Sequence, residues 1–462
     1  MGRLVVVSNR VTKSDSSNSG SKGGLAVGVT AAMSRDGGLW FGWNGKVESR
    51  DEQIPKVEKS GVIEYATISL KPAEYNQYYK GFANSVLWPL FHQRPDLMNY
   101  DVSDYQGYLS VNQKMAQSLL PLLKPDDIIW VHDYHLIPMG KMLRDAGVKS
   151  PIGFFLHTPF PPFDLLRTVP DYKNILHFLL AYDLVGLQTE ADYCGFYMSI
   201  GYGLKGEALP GKRYRVGELS CTAGVYPISI ETENLRTASK TGESSEEFKR
   251  LNSSLSGRQL IIGVDRLDYS KGLAQRMQAY ERLLKNYSEF LRKVVYLQIA
   301  PISRGDVEAY RDLAQTIDRH VGHIVGGYAD FDWMPLRYLT RGFRRNTILA
   351  MYNRARVGFV TPLRDGMNLV AKEYVAAQDP EDPGVLVLSH MAGAADELDA
   401  AVRVNPYDID NVAKSLAEAL RMPADERIDR WKKMMSVLRA NNIHTWQATF
   451  LRDLQAAALL RL

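Results

Sequence analysis

Residues Val357 to Tyr374 read VGFVTPLRDGMNLVAKEY. An apolar run, Val357 to Leu363, stops at Arg364-Asp365-Gly366, and a helix-like pattern carrying Glu373 starts at once. A short run without polar alternation, followed directly by a helix, is the signature of a strand buried on both faces in a parallel sheet. The same unit recurs along the chain. Apolar runs occur at Leu4–Val7, Ile128–Val131, Ile152–Leu156, Leu184–Leu187, Leu260–Val264, Val294–Ile299 and Val385–Leu388. Amphipathic stretches such as Leu273–Leu284 and Val412–Ala419 fit the crossover helices. The pattern predicts an α/β chain with doubly wound parallel sheets.

With 462 residues, the chain is too long for one ordinary core. The repeating pattern breaks between about Glu231 and Gly257, where TENLRTASKTGESSEEFKRLNSSLSG is polar and reads as a connection, part of it helical. The division expected is residues 1–232 as one Rossmann-like domain and 233–442 as a second, facing each other across a central cleft. In residues 443–462, Trp446, Phe450, Leu451, Leu454 and Ala458 share one face, as expected of a terminal helix packing back on the first domain.

Composition narrows the function classes. The chain is 45% hydrophobic and 23% charged, with a net charge of +4. That is globular, carries no nucleic-acid footprint, and suits small anionic substrates. Two cysteines exclude a disulfide framework and suggest a reducing, cytoplasmic setting. MGRLVVVSNR enters a strand directly and has no signal-peptide pattern, and no apolar run reaches bilayer length. Oligomeric state is left open, a homo-oligomer included.

The residues at the end of each run are more informative. The exits are Ser8-Asn9-Arg10, His132-Asp133-Tyr134-His135, His157, Asp265-Arg266, Ser303-Arg304 and Arg364-Asp365-Gly366. In an open parallel sheet these ends share one edge, where ligands bind. Arg266 and Lys271, in VDRLDYSKGL, could meet one diphosphate, Arg forking onto two oxygens and Lys acting as a point charge; the plainer reading is a pair of solvated surface charges. Lys22-Gly23-Gly24-Leu25 opens a helix, Leu25–Met33, in a way that lets backbone N–H groups approach a phosphate. It is not GxGxxG, which argues against a dinucleotide cofactor. His132, Asp133, His135 and His157 raise a rival, a catalytic metal, but the spacing is tight and no HExxH is present. Asp330-Phe331-Asp332 and Asp408-Ile409-Asp410 read as surface or helix-cap carboxylates. Trp40, Trp43, Tyr78, Tyr79 and Trp88 suit either core packing or sugar binding.

SNR near the start, GGLAVG, GLWFGW, VLWPLFH, WVHDYHL, GFFLHTPFP, VDRLDYSKG, SRGDV and TPLRDGMNLVAKEYVAAQ occur in order. Together, from residue 3 to about 455, they resemble the trehalose-6-phosphate synthase family. The resemblance implies a two-Rossmann glycosyltransferase of the GT-B type. It implies transfer of glucose from UDP-glucose to glucose-6-phosphate with retention, without a cofactor or metal. It implies that Arg10, Tyr79, Trp88 and Arg304 hold the acceptor phosphate, while Trp40 and Asp133 place the acceptor sugar. Gly24, Arg266 and Lys271 would grip the donor diphosphate, together with backbone N–H groups near Asn368 and Leu369. His157 and Asp365 would hold hydroxyls of the transferred glucose, and Glu373 would accept from the ribose. Asp133, His157, Arg266, Lys271 and Asp365 are the catalytic set so implied. No clear carboxylate pair of the glycosidase kind presents itself; the resemblance implies front-face substitution instead, with the departing phosphate oxygen taking the acceptor's proton. Small departures are Ser229 in YPISIE, where glycine is expected, and a loop of individual sequence at Val11–Lys22, expected to order over ligand. No fused phosphatase domain is expected. The competing readings are a related pseudo-glycosyltransferase that joins a cyclitol to an amine, and a regulatory pseudo-subunit. The pseudo-subunit should lack some of Arg266, Lys271, Asp365 and Glu373, which are all present here.

Overall fold

The structure, a computed structural model, describes residues 2–11, 30, 33, 37–49, 54–302 and 308–461. The chain divides into two compact units. One comprises residues 1–17, 23–228 and 443–462, and the other comprises 18–22 and 229–442.

Among the described residues the first unit holds a ten-stranded sheet. Its strands are β1 (Leu4–Arg10), β2 (Gly38–Val47), β3 (Lys56–Ser60), β4 (Ile63–Leu70), β5 (Ile128–His132), β6 (Ile152–Phe155), β7 (Leu184–Leu187), β8 (Glu207–Leu209), β9 (Arg213–Val216) and β10 (Leu219–Val225). The spatial order is β3-β4-β2-β1-β5-β6-β7-β10-β9-β8. The strands from β4 to β10 in that order run parallel, and β3 and β9 pair antiparallel with their neighbours. β5 and β6 are wholly buried, which is why each reads as an unbroken apolar run.

The second unit holds a six-stranded parallel sheet of β11 (Gln259–Val264), β12 (Val294–Ile299), β13 (Leu336–Leu339), β14 (Val357–Val360), β15 (Val385–Ser389) and β16 (Val402–Val404). Its order, β13-β12-β11-β14-β15-β16, is the doubly wound arrangement in which the chain reverses direction between β11 and β14. The first sheet reverses in the same way between β1 and β5.

The polar stretch from Glu231 to Gly257 is not a simple connection. It forms two helices, Glu233–Gly242 and Glu246–Leu255, within the second unit. Each buries a narrow stripe, Leu235, Ser239 and Gly242 on one and Leu251 and Leu255 on the other. The remaining faces are polar because they meet water, and that majority masked the stripe in the composition. Glu246–Leu255 is capped by Ser245, whose hydroxyl accepts from the Phe248 N–H.

The terminal helix, Ile443–Ala458, packs on β6 and β7 of the first unit and buries Trp446, Phe450, Leu451 and Leu454. Gly153 and Gly186 make its seat: a Cβ on either would stand within 2.8 Å of the Phe450 ring. Phe450 stacks on Trp130 at 4.6 Å, and the Trp446 indole donates to the Tyr226 carbonyl at 3.1 Å.

Candidate active site

Each sheet has one point where crossovers leave toward opposite faces, and the strand ends there flank an open crevice. The sequence-predicted residues that are described fall in two groups, one per unit, around these points.

In the second unit the ends of β11 and β14 are adjacent strands' exits, tied together by backbone. The Ser270 carbonyl accepts from the N–H groups of Leu363 at 2.7 Å and Arg364 at 3.4 Å. Gly272, at φ 67°, passes so close to Thr361 that a Cβ would stand 2.3 Å from its carbonyl oxygen, and only glycine fits both constraints. Asp268 caps the turn Tyr269–Lys271 by accepting from the Ser270 N–H at 3.0 Å. This framework places Lys271 Nζ 2.6 Å from Asp365 Oδ2. Asn368, in the left-handed conformation at φ 74°, donates from Nδ2 to the same Asp365 oxygen at 2.9 Å. Its own Oδ1 accepts from the Ala371 N–H and caps the helix Leu369–Ala377. Glu373, one turn further on, pairs with Arg345 at 2.7 Å. Arg266 leaves β11 exposed, as a charge offered to ligand must be.

Beneath these groups lies an arginine that sequence reasoning missed. Arg276 is fully buried and pairs with Asp265 at 2.6 Å. It also donates to the Thr361 hydroxyl at 3.1 Å and to the Lys271 carbonyl at 2.9 Å. It therefore ties both strand exits to one buried cation. Burial pushes the Asp265 carboxyl up, and Arg276 and Lys271 pull it back. A signal was present in the sequence: Arg276 sits on the stripe of Leu273, Met277, Tyr280 and Leu284, where an unpartnered charge would be costly. Arg345 was missed too, although a cation in the first turn of the helix Arg345–Arg354 works against the helix dipole and so marks another purpose.

In the first unit, β1 exits at Ser8-Asn9-Arg10, and the adjacent β5 exits at His132-Asp133. Arg10 is exposed. Tyr79 is half-buried in a wide-wound π-helix, Tyr75–Leu87, a rare backbone that favours functional positions. It stacks on His135 at 5.8 Å and on Tyr75 at 5.3 Å. Trp40 is wholly enclosed, its indole donating to the Ser8 hydroxyl at 2.8 Å, and Trp88 is buried against His92. Both tryptophans thus stand in the wall behind the exits rather than on its surface. Asp133 adopts φ 75° and ψ 163°, a conformation that costs a non-glycine residue about 1–3 kcal/mol and persists where function demands it. Its Oδ1 accepts from the His157 N–H at 3.2 Å. His157 Nε2 lies 3.0 Å from His132 Nδ1.

Among the described residues no group of three or more His, Cys, Asp or Glu side chains could hold a metal. His132 and His157 bond each other, and His135 turns to stack on Tyr79. Asp408 caps the helix Ile409–Arg421, and Asp330 and Asp332 pair with Arg292 and Arg258. Gly24 with its Lys22–Leu25 helix start, Arg304, and the Val11–Lys22 loop from Thr12 onward lie outside the described residues.

Burial pushes the His132 imidazole well below its usual pKa, with the neighbouring His157 adding to the effect, and pushes His157 down to about 3. A depressed histidine pKa gives stability above the unfolded value, about 6.5, that is lost as pH falls toward the folded one. His157 should thus cost up to about 2 kcal/mol of stability by pH 5, roughly 1.5 units below the unfolded value. Urea denaturation at pH 7.5 and pH 5 should show this loss, and His157→Gln should reduce it. An equal loss in the variant would show that the histidine is not its source.

The model of glycosyltransferase family 20 matches residues 2–456. The chain is 48% identical to the trehalose-6-phosphate synthase of Enterobacter sp. (strain 638), over 98% of this chain and 95% of that protein. It superimposes with a TM-score of 0.95 on the crystal structure of a UDP-forming alpha,alpha-trehalose-phosphate synthase from Burkholderia xenovorans in complex with glucose-6-phosphate. That pair is 48% identical, over 98% of this chain and 100% of the other. The TM-score is 0.93 with the E. coli protein bound with UDP-2-fluoro glucose, at 46% identity over 98% of both chains. Two doubly wound sheets with charged switch points, matched over nearly the whole length, leave one assignment: this chain belongs to glycosyltransferase family 20, among its trehalose-6-phosphate synthases.

Proposed function

We propose that this chain transfers glucose from UDP-glucose to glucose-6-phosphate, with retention, giving α,α-trehalose 6-phosphate and UDP. The observation that carries the residue-level reading is the cluster at the β11/β14 switch point. Lys271 stands there 2.6 Å from Asp365, and Arg266 follows β11 where that strand ends. In a nucleotide-sugar the diphosphate is bonded directly to the sugar. A cation for the one and a carboxylate for the other must therefore be neighbours. Asp365 accepts from hydroxyls of the transferred glucose. Glu373, oriented by Arg345, accepts from the ribose. Asn368 and the start of the helix Leu369–Ala377 face the phosphates with the positive end of the helix dipole.

The first unit takes the acceptor. Arg10 and Tyr79 hold its phosphate, with Trp88 behind them, and Arg304, outside the described residues, is the further cation that the family resemblance implies. Asp133 reads the sugar, Trp40 backs the Ser8 exit, and His157 meets the transferred glucose. The donor diphosphate brings about two negative charges and the acceptor phosphate nearly two more. Fixed cations must offset their repulsion. As the glycosidic bond breaks, charge builds on the leaving diphosphate, and preorganised Arg and Lys stabilise that charge more than the ground state. The departing phosphate oxygen is then the base for the acceptor hydroxyl, on the same face as the bond it leaves. These cations make a metal or other cofactor unnecessary. A cytoplasmic enzyme fits the two cysteines, and among the described residues no helix is long and apolar enough to cross a membrane. Self-association is the remaining open partner.

The test is a product assay with UDP-, ADP- and GDP-glucose and glucose-6-phosphate, read by mass. We expect trehalose 6-phosphate, formed fastest from UDP-glucose and at the same rate with EDTA present. Product only from a cyclitol nucleotide and an amine, or loss of turnover with EDTA, would overturn this reading.

A further inference from the structure

The crossing from β5 to β6 brings together two histidines that share one hydrogen bond, His132 Nδ1 to His157 Nε2 at 3.0 Å. His132 is fully buried, with its ring against Trp130 at 4.6 Å, Phe155 at 6.3 Å and Trp446 at 6.5 Å. No charged group is among these neighbours, and burial keeps both rings neutral. A neutral pair has a single proton in the shared bond, and it sits on one nitrogen or the other.

The two arrangements differ at the far nitrogens. If His157 Nε2 carried the proton, His132 would carry its own on Nε2. That nitrogen is buried and has no hydrogen-bond partner. The indole N–H of Trp130, two residues back on the same strand, is buried without a partner as well. The wall would then contain two orphaned N–H donors side by side, which folded proteins avoid more strictly than orphaned acceptors. With the proton on His132 Nδ1, its Nε2 is a bare lone pair and only the indole donor is unmet. His157 Nε2 is then the acceptor, so His157 carries its proton on Nδ1. That nitrogen bonds no described residue and is not fully buried. The rest of His157 is fixed: its N–H donates to Asp133, and its carbonyl accepts from Gln188 Nε2 at 3.4 Å.

We propose that His132 is a positioning residue that locks His157 in the Nδ1–H tautomer, so that the exit of β6 presents a hydrogen-bond donor, not an acceptor, to the substrate sugar. The substrate half of this statement rests on the function proposed above. The tautomer half does not. His157 would donate to a sugar oxygen, and a ligand with that hydroxyl inverted or missing would lose the bond.

The test uses the whole enzyme labelled with 15N-histidine, whose nine histidines give a sparse spectrum. Long-range 1H–15N correlations at pH 7.5 distinguish protonated from bare ring nitrogens, and single His132 and His157 substitutions assign the signals. Both residues should show a protonated Nδ1 and a bare Nε2 in the wild type. His132→Leu should return His157 toward the Nε2–H form that imidazole prefers in water, and should lower kcat on the order of 10-fold, as expected for losing a group that orients a functional histidine. The donor KM should change much less. His132→Asn, whose amide can donate from the place of Nδ1, should restore most of kcat. A protonated Nε2 on wild-type His157 would overturn the proposal. So would a His157 tautomer unchanged by His132→Leu. Full activity in His157→Ala would instead remove the substrate role and leave the tautomer result standing.

Discussion

Arg266→Ala should fold normally and lose on the order of 100-fold or more in turnover. Arg266 is exposed at the end of β11, so its truncation leaves no cavity, and the urea midpoint should move little. In the proposed role it supplies charge. Lys271, another cation at that switch point, already faces Asp365 at 2.6 Å, so it cannot by itself neutralise both the carboxylate and a developing diphosphate charge. Arg266→Lys should recover only part of the loss, because a point charge cannot fork onto two oxygens. Steady-state kinetics with UDP-glucose varied, beside a urea melt, checks both statements. Near-normal turnover in a folded Arg266→Ala protein would remove the diphosphate assignment.

Arg276→Ala should destabilise the second unit by about 3–5 kcal/mol, the usual cost of breaking a buried pair from one side. It strands Asp265, which is itself buried, and removes bonds to the Thr361 hydroxyl and the Lys271 carbonyl. Because those bonds fix both strand exits, whatever protein still folds should bind donor poorly, although Arg276 meets no ligand. Arg276→Met with Asp265→Leu removes both charges together and should restore much of the stability but not the activity. Urea midpoints of the single and double variants decide this. A loss below about 1 kcal/mol for Arg276→Ala, the range of an exposed pair, would show that the network is not what holds the exits.

The parallel core was legible because a strand buried on both faces must be apolar throughout. Leu184–Leu187 and Val294–Ile299 lie where their apolar runs place them, to the residue. The strands that escaped are those for which that constraint fails. β2 carries Trp40 and Trp43 in a run broken by glycines, which reads as an aromatic cluster. β13 is an edge strand with half-buried Arg337 and Tyr338. The helices Glu233–Gly242 and Glu246–Leu255 read as a connection because their buried stripes are only two or three residues wide.

The site divides along the same line. Arg266, Lys271 and Asp365 could be found because polar residues at the ends of apolar runs are conspicuous. Arg276 and Arg345 could not be placed in that way, since their partners are distant in sequence: Arg276 meets Thr361, and Arg345 meets Glu373. Lys271 and Asp365, 94 positions apart, become neighbours only because β11 and β14 are paired. Composition and periodicity carry no such information.

In the function proposed above, the cations at the β11/β14 switch point hold the donor's diphosphate. Calorimetric titration of UDP into the wild type and the Arg266→Ala/Lys271→Ala double variant tests it most directly, with glucose-6-phosphate titrated as the control. Removing two charge-assisted hydrogen-bond donors together should weaken UDP binding on the order of 100-fold or more and leave glucose-6-phosphate binding unchanged. UDP affinity preserved in a folded double variant would contradict the account.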